Sequence, residues 1–440
     1  MERIEKLKVA LISLGCEKNL VDSESILGFI SKDNVEIISE LEDANIIIVN
    51  TCGFITSAKV EAINTIYEAL TYKPKAKVIV CGCLVERYYD DLVKGIEGVD
   101  LWVPIRKYPE FGKLLSKLVN DNYYFDKVPN ELTRVLSTPK HLAYVRISDG
   151  CNNRCSYCAI PLIRGNFRSR DSLDIIKEVK SLIESNHYEI CLISQDLTRY
   201  GSDLKDMSLA KLIKEIVKIK GDYVIRLLYL YPDEITDELI EVIRDNEKVL
   251  PYFDIPIQHA SNKLLKLMNR RGTKEEIREL INKIRTMVSN AVIRTTIIVG
   301  FPHESDKDQR ELIDFIKEMK FDHLGAFTYS KEEDTASFNM TMQVSKKKAL
   351  VRYDELMETQ KWISLKQNER YLGNTYEVVI EDYDEDSVMY VGRGYMMAPD
   401  DIDGAIYIKT NKHHEVSDRI FVRIEEVDFY DLIAVEVEND

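Results

Sequence analysis

The sequence predicts an α/β protein in three parts: an N-terminal α/β domain on a parallel sheet over 1–137, a partial (βα)6 TIM-like barrel over 138–372, and a small C-terminal antiparallel β-barrel over 373–440. Three observations predict it. Continuous apolar runs alternate with helix-period segments through the first third, as in strands covered on both faces. The same alternation continues for six further units, which right-handed connections wind into a barrel short of the closed eight-fold form. Beyond Gly373 the pattern changes to short alternating runs broken by Gly392, Gly394 and Gly404, the composition of a small β-barrel.

In the first part, strands are expected at 9–14, 46–50 and 77–80, each followed by a helical segment, at 19–30, 57–70 and 85–94. Cys16, Cys52 and Cys83 fall just past the three strand ends, 36 and 31 residues apart. Neighbouring parallel strands lie roughly 5 Å apart, so thiols on adjacent strand-end loops can converge on one site. Any one of them alone would read as a buried apolar cysteine; equivalent positions after three strands favour a shared metal cluster. Cys81, still inside the third strand pattern, and Cys191, in the apolar run 190–193, read as core.

In the second part, strands are expected at 142–147, 190–194, 223–230, 252–257, 292–299 and 324–329. Chemistry in such a barrel sits on the loops after the strands. The first of these loops holds Asp149-Gly150-Cys151-Asn152-Asn153-Arg154-Cys155-Ser156-Tyr157-Cys158, three thiols within eight residues. Three thiolates can hold three irons of a cubane that normally takes four, which leaves one iron open to an external ligand. A structural zinc site is the alternative, but zinc wants four tetrahedral ligands and the downstream loop supplies no obvious fourth. The other strand-end loops carry Gln195-Asp196, Tyr231-Pro232, Gln258-His259 and Gly300-Phe301-Pro302. Gln258-His259 reads either as a polar pair at the rim or as a cofactor contact. Gly300 reads either as close backbone approach to a ligand or as a turn with positive φ. A long helix over 345–371 leads away from the barrel.

The third part is expected to form strands at 375–380, 389–391, 405–409 and 419–424, and it carries most of the charge. From Asn374 onward 18 acidic residues face five basic ones, a net −13 of the chain's −15. A module that binds nucleic-acid phosphates has the opposite sign. An acidic surface suits a basic partner, or serves solubility alone. With 440 residues and 45% apolar content the composition is that of a globular protein of several domains. The charged N-terminus and the lack of an 18-residue apolar run argue against a secretory signal or a membrane span, so a cytoplasmic location is expected. Eight cysteines in that compartment are metal ligands, redox groups or core residues before they are disulfides.

The CxxxCxxC spacing with Tyr157 before the last cysteine resembles the signature of the radical S-adenosylmethionine enzymes. Together with three N-terminal strand-end cysteines and a C-terminal β-barrel of TRAM type, it resembles the methylthiotransferases over essentially the whole chain. Ser13-Leu14-Gly15-Cys16-Glu17-Lys18-Asn19-Leu20-Val21-Asp22-Ser23-Glu24 is similar to the branch that modifies a ribosomal protein, whereas the tRNA branches usually show Tyr-Gly-Cys there. Asn50-Thr51-Cys52-Gly53-Phe54-Ile55, Gly82-Cys83-Leu84, Cys158-Ala159-Ile160-Pro161, Arg164-Gly165, Arg168-Ser169-Arg170, Gln195-Asp196-Leu197-Thr198, Asp254 to His259 and Val299-Gly300-Phe301-Pro302 extend the match. His303-Glu304-Ser305 departs from the usual Gly-Glu-Thr. Gly394 with Met396-Met397 stands where Ser and Asp are common.

The resemblance implies two [4Fe-4S] clusters, one on Cys16, Cys52 and Cys83 and one, the radical-generating cluster, on Cys151, Cys155 and Cys158, with Cys81 a bystander. Tyr157, Gln195, Asp196 and Gly300 are the candidate contacts to S-adenosylmethionine. The implied activity attaches a methylthio group to the β-carbon of an aspartate in small-subunit ribosomal protein twelve. An unactivated C–H bond calls for radical chemistry supplied by a cofactor. The implied partners are that protein or the small ribosomal subunit, and an electron donor such as flavodoxin or ferredoxin. Neither membrane association nor direct tRNA binding is expected. The alternatives are a tRNA-modifying methylthiotransferase and a non-catalytic iron–sulfur or zinc module that docks on the ribosome.

Overall fold

The computed structural model describes residues 6–31, 34–119, 125 and 129–438. The N-terminal part runs β1 (Leu7–Ser13), α1 (Glu17–Ile30), β2 (Val35–Ile37), β3 (Ile46–Thr51), α2 (Thr56–Leu70), β4 (Lys77–Gly82), α3 (Cys83–Gly95), β5 (Leu101–Pro104) and α4 (Phe111–Leu118). Its strands form one parallel sheet in the order β2-β1-β3-β4-β5. Every residue of β3 is buried, because helices cover both faces: Ile26, Phe29 and Phe111 on one side, Ala62, Ile66 and Leu84 on the other. The edge strands β2 and β5 go beyond the sequence expectation. With three and four residues they are too short to display a period.

Helix α1 is enclosed all round, with 11 of its 14 residues buried. Its apolar side, including Ile26 and Phe29, meets the sheet. Its polar side meets arginines from beyond the sheet: Asp22 pairs with Arg146 at 2.6 Å and Arg164 at 2.7 Å, and Glu24 with Arg134 at 2.8 Å. Buried charges are tolerated because each is paired.

The second part runs β6 (Leu142–Arg146), β7 (Ser148–Asp149), α5 (Ile160–Ile163), β8 (Arg168–Ser169), α6 (Ser172–Glu184), β9 (Glu189–Ile193), α7 (Leu209–Ile216), β10 (Val224–Leu227), α8 (Asp237–Asp245), β11 (Tyr252–Asp254), α9 (Asn262–Leu267), α10 (Lys274–Met287), β12 (Val292–Val299), α11 (Asp306–Met319), β13 (His323–Thr328) and α12 (Lys346–Asn368). Six strands lie parallel in chain order, as the sheets β6-β9-β10 and β11-β12-β13 joined by a bridge between Ile225 and Val249. This is the partial barrel expected from the six repeated units. The outer face packs on the helices through Val145, Leu192, Ile225, Phe253 and Ile293.

The inner face carries Tyr144, Arg226, Tyr252, Arg294 and His323, and residues 394–404 of the third part fill it. Met396 and Met397 are buried there; Arg294 reaches Asp403 at 3.1 Å, the His323 ring pairs with the Met396 carbonyl at 2.7 Å, and the Tyr144 hydroxyl donates to Asp400 at 2.5 Å. The methionines that depart from the family pattern thus serve as the apolar tip of this plug.

The third part comprises β14 (Thr375–Asp384), β15 (Met389–Arg393), β16 (Ile406–Lys409), β17 (Arg419–Val427) and β18 (Leu432–Val437), closed in the order β14-β15-β16-β18-β17. Neighbours are antiparallel except β16 and β18, which run parallel. A ring of five strands cannot alternate direction all the way round, so one parallel pair is required. Among the described residues no helix is long and apolar enough to cross a membrane.

Candidate active site

Three loops at adjacent strand ends bring the N-terminal cysteines together. Cys16 caps α1 after β1, Cys52 follows β3, and Cys83 opens α3 after β4. Two glycines set the approach. Gly15 has φ +91°, and a Cβ there would lie 2.7 Å from the Cβ of Cys52 and 2.9 Å from its sulfur. A Cβ at Gly53 would lie 2.6 Å from the Cα of Leu84 and 2.9 Å from the carbonyl carbon of Cys83. Asn19, in the first turn of α1, ties the loops: its amide donates to the carbonyls of Leu14 at 2.7 Å and Thr51 at 3.2 Å, while its Oδ1 lies 3.6 Å from the Cys83 sulfur. Burial pushes the Cys83 thiol up to about 12; Arg164 opposes this, and Cys16 and Cys52 add to it, so the three thiols share one electrostatic environment. Burial likewise raises Cys52.

The barrel trio occupies the single loop after β7. Neighbouring segments clamp that loop: Ser156 donates its amide to Met268 at 2.9 Å and its hydroxyl to Leu267 at 2.8 Å, and Asn269 donates to the Arg154 carbonyl at 2.9 Å. All three thiols are half-buried. Burial raises Cys151 to about 11 and Cys158 further, the neighbouring thiols adding to both. The Cys155 sulfur lies 3.8 Å from the Tyr231 hydroxyl and 4.0 Å from a guanidinium nitrogen of Arg270, which stacks on the Tyr231 ring at 3.8 Å. Burial disfavours the thiolate in each trio, and a bound metal, which needs the thiolate, would offset that.

The four expected cofactor contacts surround this loop. The Tyr157 ring stands edge-on to Phe301, 6.5 Å between centroids, and wedges the cysteine loop against the loop after β12. Gln195 donates to Asp149 at 3.1 Å, and its Oε1 is buried without a hydrogen-bond partner. Asp196 accepts from Asn153 and Thr198, both at 2.7 Å, and burial raises its carboxyl. Gly300 has φ +76°; its amide donates to Glu304, and Ala349 of α12 fills the space a side chain would take. The turn and the helix packing therefore account for this glycine, and its N–H is already engaged. His259 is fully buried, its Nδ1 accepting the amides of Ala260 and Ser261 at 2.9 Å, while Nε2 faces Glu304 Oε1 at 3.9 Å. Cys81 and Cys191 are fully buried in two different apolar clusters.

The two trios are joined by a residue to which the sequence assigned no role. Arg164, just after α5, reaches Asn19 at 3.1 Å, the Cys83 sulfur at 3.5 Å, Asp22 at 2.7 Å and Asp149 at 3.6 Å. One guanidinium thus touches a cysteine of the first trio and a carboxylate two residues before the second. Cys83 also packs on Ala159 and Ile163, directly after Cys158. Only motif membership could have marked Arg164, since its partners lie far away in sequence.

Among the described residues no three His, Cys, Asp or Glu side chains are grouped to hold a single metal ion. A four-iron cube places its protein sulfurs on separate corners, and each trio sets its thiols near enough to feel one another's charge. The unpaired Gln195 Oε1 fits a polar ligand beside the open corner.

Three family descriptions match in succession: Uncharacterized protein family UPF0004 over residues 8–104, the Radical SAM superfamily over 145–316 and the TRAM domain over 372–437. The chain is 45% identical to the ribosomal protein uS12 methylthiotransferase RimO of Acetivibrio thermocellus, with 99% of each chain covered. It is 44% identical to the protein of that name from Clostridioides difficile, covering 97% of this chain and 98% of the other. Among solved structures, the radical S-adenosylmethionine methyltransferase TsrM from Kitasatospora setae shares the fold, with a TM-score of 0.56 at 14% identity over 73% of this chain and 75% of the other. The chain belongs to the RimO family of radical S-adenosylmethionine methylthiotransferases.

Proposed function

We propose that this chain attaches a methylthio group to the β-carbon of an aspartate in ribosomal protein uS12, using two four-iron clusters and S-adenosylmethionine. The observation that carries the reading is the pairing of two cysteine trios across one interface, with Arg164 in contact with Cys83 and Asp149. In this reading Cys151, Cys155 and Cys158 hold the radical-generating cluster, and Cys16, Cys52 and Cys83 the second. Tyr157, Gln195, Asp196 and the Gly300 loop line the S-adenosylmethionine, and the functional parts are 1–137, 138–372 and 373–440.

When bound, S-adenosylmethionine and the clusters would supply a 5′-deoxyadenosyl radical able to take hydrogen from an unactivated carbon, together with the methyl of the methylthio group. The chain's own residues orient and exclude water. Tyr157 and Phe301 wall off one side of the cysteine loop; Arg270 stacked on Tyr231 covers Cys155; Gln195 and Asp149 hold each other beside Cys151. Closing the gap with α1 and its ion pairs keeps a reactive species from solvent.

The net −13 of the C-terminal part supports attraction to a basic ribosomal protein over a tRNA phosphate backbone. An electron donor such as flavodoxin or ferredoxin and a cytoplasmic setting belong to the same reading. The test is mass spectrometry of uS12 from cells with and without this chain. A methylthio increment on one aspartate, present only with the chain, is expected; an increment that persists without it overturns the reading.

A further inference from the structure

Lys18 is the one lysine among the buried charged residues described. Lysine leaves water only when something holds its charge. Its side chain is 8% exposed; its ammonium lies 3.2 Å from the centre of the Tyr229 ring, and the Glu17 carboxylate is 3.5 Å away. Glu17 has its own supports. The Tyr229 hydroxyl lies 3.0 Å from both carboxylate oxygens, and Glu17 sits in the first turn of α1, where the helix dipole favours negative charge. An ammonium carries three donors, and among the described residues this one is held by a ring face and a single long ion pair.

The neighbouring buried cations are spent. Arg164 serves Asp22, Asp149, Asn19 and Cys83. Arg146 serves Asp22 and Glu131, and Arg270 serves the Pro256 carbonyl and Tyr231. Lys18 is also tied to both trios through its neighbours. It follows Cys16 by two residues, and the Tyr229 it covers precedes by two the Tyr231 whose hydroxyl lies 3.8 Å from the Cys155 sulfur. Tyr229 has φ +68°, which a bulky side chain rarely adopts, and its amide donates to Asp254 at 2.9 Å. Such strain persists where the surroundings fix it, often at functional sites.

The geometry points to Lys18 as a specificity-determining residue whose ammonium receives the side-chain carboxylate of the target aspartate. This rests on the substrate reading above. The β-carbon of aspartate is one bond from that carboxylate, so holding the charge at Lys18 fixes the reacting carbon beside it, near the loops that carry Cys16 and Tyr231. A residue without the charge would leave the ammonium short of a partner and bind less tightly.

The test is anaerobic calorimetry on the cluster-loaded protein, with unmodified uS12 and with uS12 whose target aspartate is replaced by alanine. The native protein is expected to prefer uS12 by about tenfold or more. Lys18→Met is expected to lose the preference by weakening uS12 alone, and Lys18→Arg, which keeps the charge, to retain it. A preference that survives in Lys18→Met overturns the assignment. So does an equal loss of both ligands, which would make Lys18 a structural strut. Native protein that binds neither form overturns the substrate reading itself, a failure distinct from that of Lys18.

Discussion

The two cysteine trios are assembled by opposite routes. The barrel trio is written in eight consecutive residues and needs one loop, clamped by Met268 and Asn269. The N-terminal trio spans 68 residues and exists only once β1, β3 and β4 lie side by side. One site is a property of a segment and the other of a topology, so they should break differently. The largest effect separates them by role. Cys155→Ala should abolish S-adenosylmethionine cleavage and all modification. Cys83→Ala should spare cleavage, read as 5′-deoxyadenosine formation, and stop methylthiolation. Equal loss of cleavage in both variants would mean that the trios do not divide the work.

A backbone change with no cysteine removed sharpens the contrast. Gly15→Ala forces a side chain onto Cys52 at a φ of +91°. It should therefore spread the N-terminal trio, and iron content should fall from about eight to about four per chain with cleavage retained. Iron content unchanged from the native protein would show that the close approach of these loops is not needed for assembly. Smaller again is Arg164→Gln, which takes from Asp22 one of its two arginines and leaves Arg146 in place. Because Arg146 still holds Asp22, the cost should stay below the roughly 3 kcal/mol of a buried charge left alone, measured by urea unfolding; a change within error would mean the guanidinium serves the site and not the fold.

The same contrast explains what could be read in advance. The barrel trio and its strand were legible because everything they need lies within a few residues. The N-terminal trio was legible through the regular spacing of Cys16, Cys52 and Cys83, one per βα unit. Hidden were features whose partners lie far away: Arg164 reaching back to Asn19, Lys18 over Tyr229, and the plug of Met396 and Met397 in the barrel. The apolar run 223–230 suggested one long strand, yet β10 ends at Leu227 because the chain turns to positive φ at Tyr229. Edge strands β2 and β5 gave no signal for want of length. β18 alternates in burial, but its run of apolar residues falls within the most acidic part of the chain.

The barrel's other interfaces test the comparison by acid. Glu131 binds Arg146 at 2.6 Å where the barrel meets α1, and Glu189 binds Arg393 at 2.7 Å between the barrel and the C-terminal part. Burial alone would raise both carboxyls, but Arg146 and Arg170 hold Glu131 down at about 2, and Arg226 and Arg393 hold Glu189 at about 2. A carboxyl depressed in the folded state stabilises it above the unfolded value of about 4.3. That contribution fades as pH falls from about 4.3 toward about 2. Glu189→Gln should flatten the acid limb of stability while leaving the iron content of both trios intact, because Glu189 opens β9, at the end of the strand away from the loops that follow the barrel strands. Loss of iron in that variant would show that the C-terminal plug, and not the sheet topology alone, keeps the two trios in register.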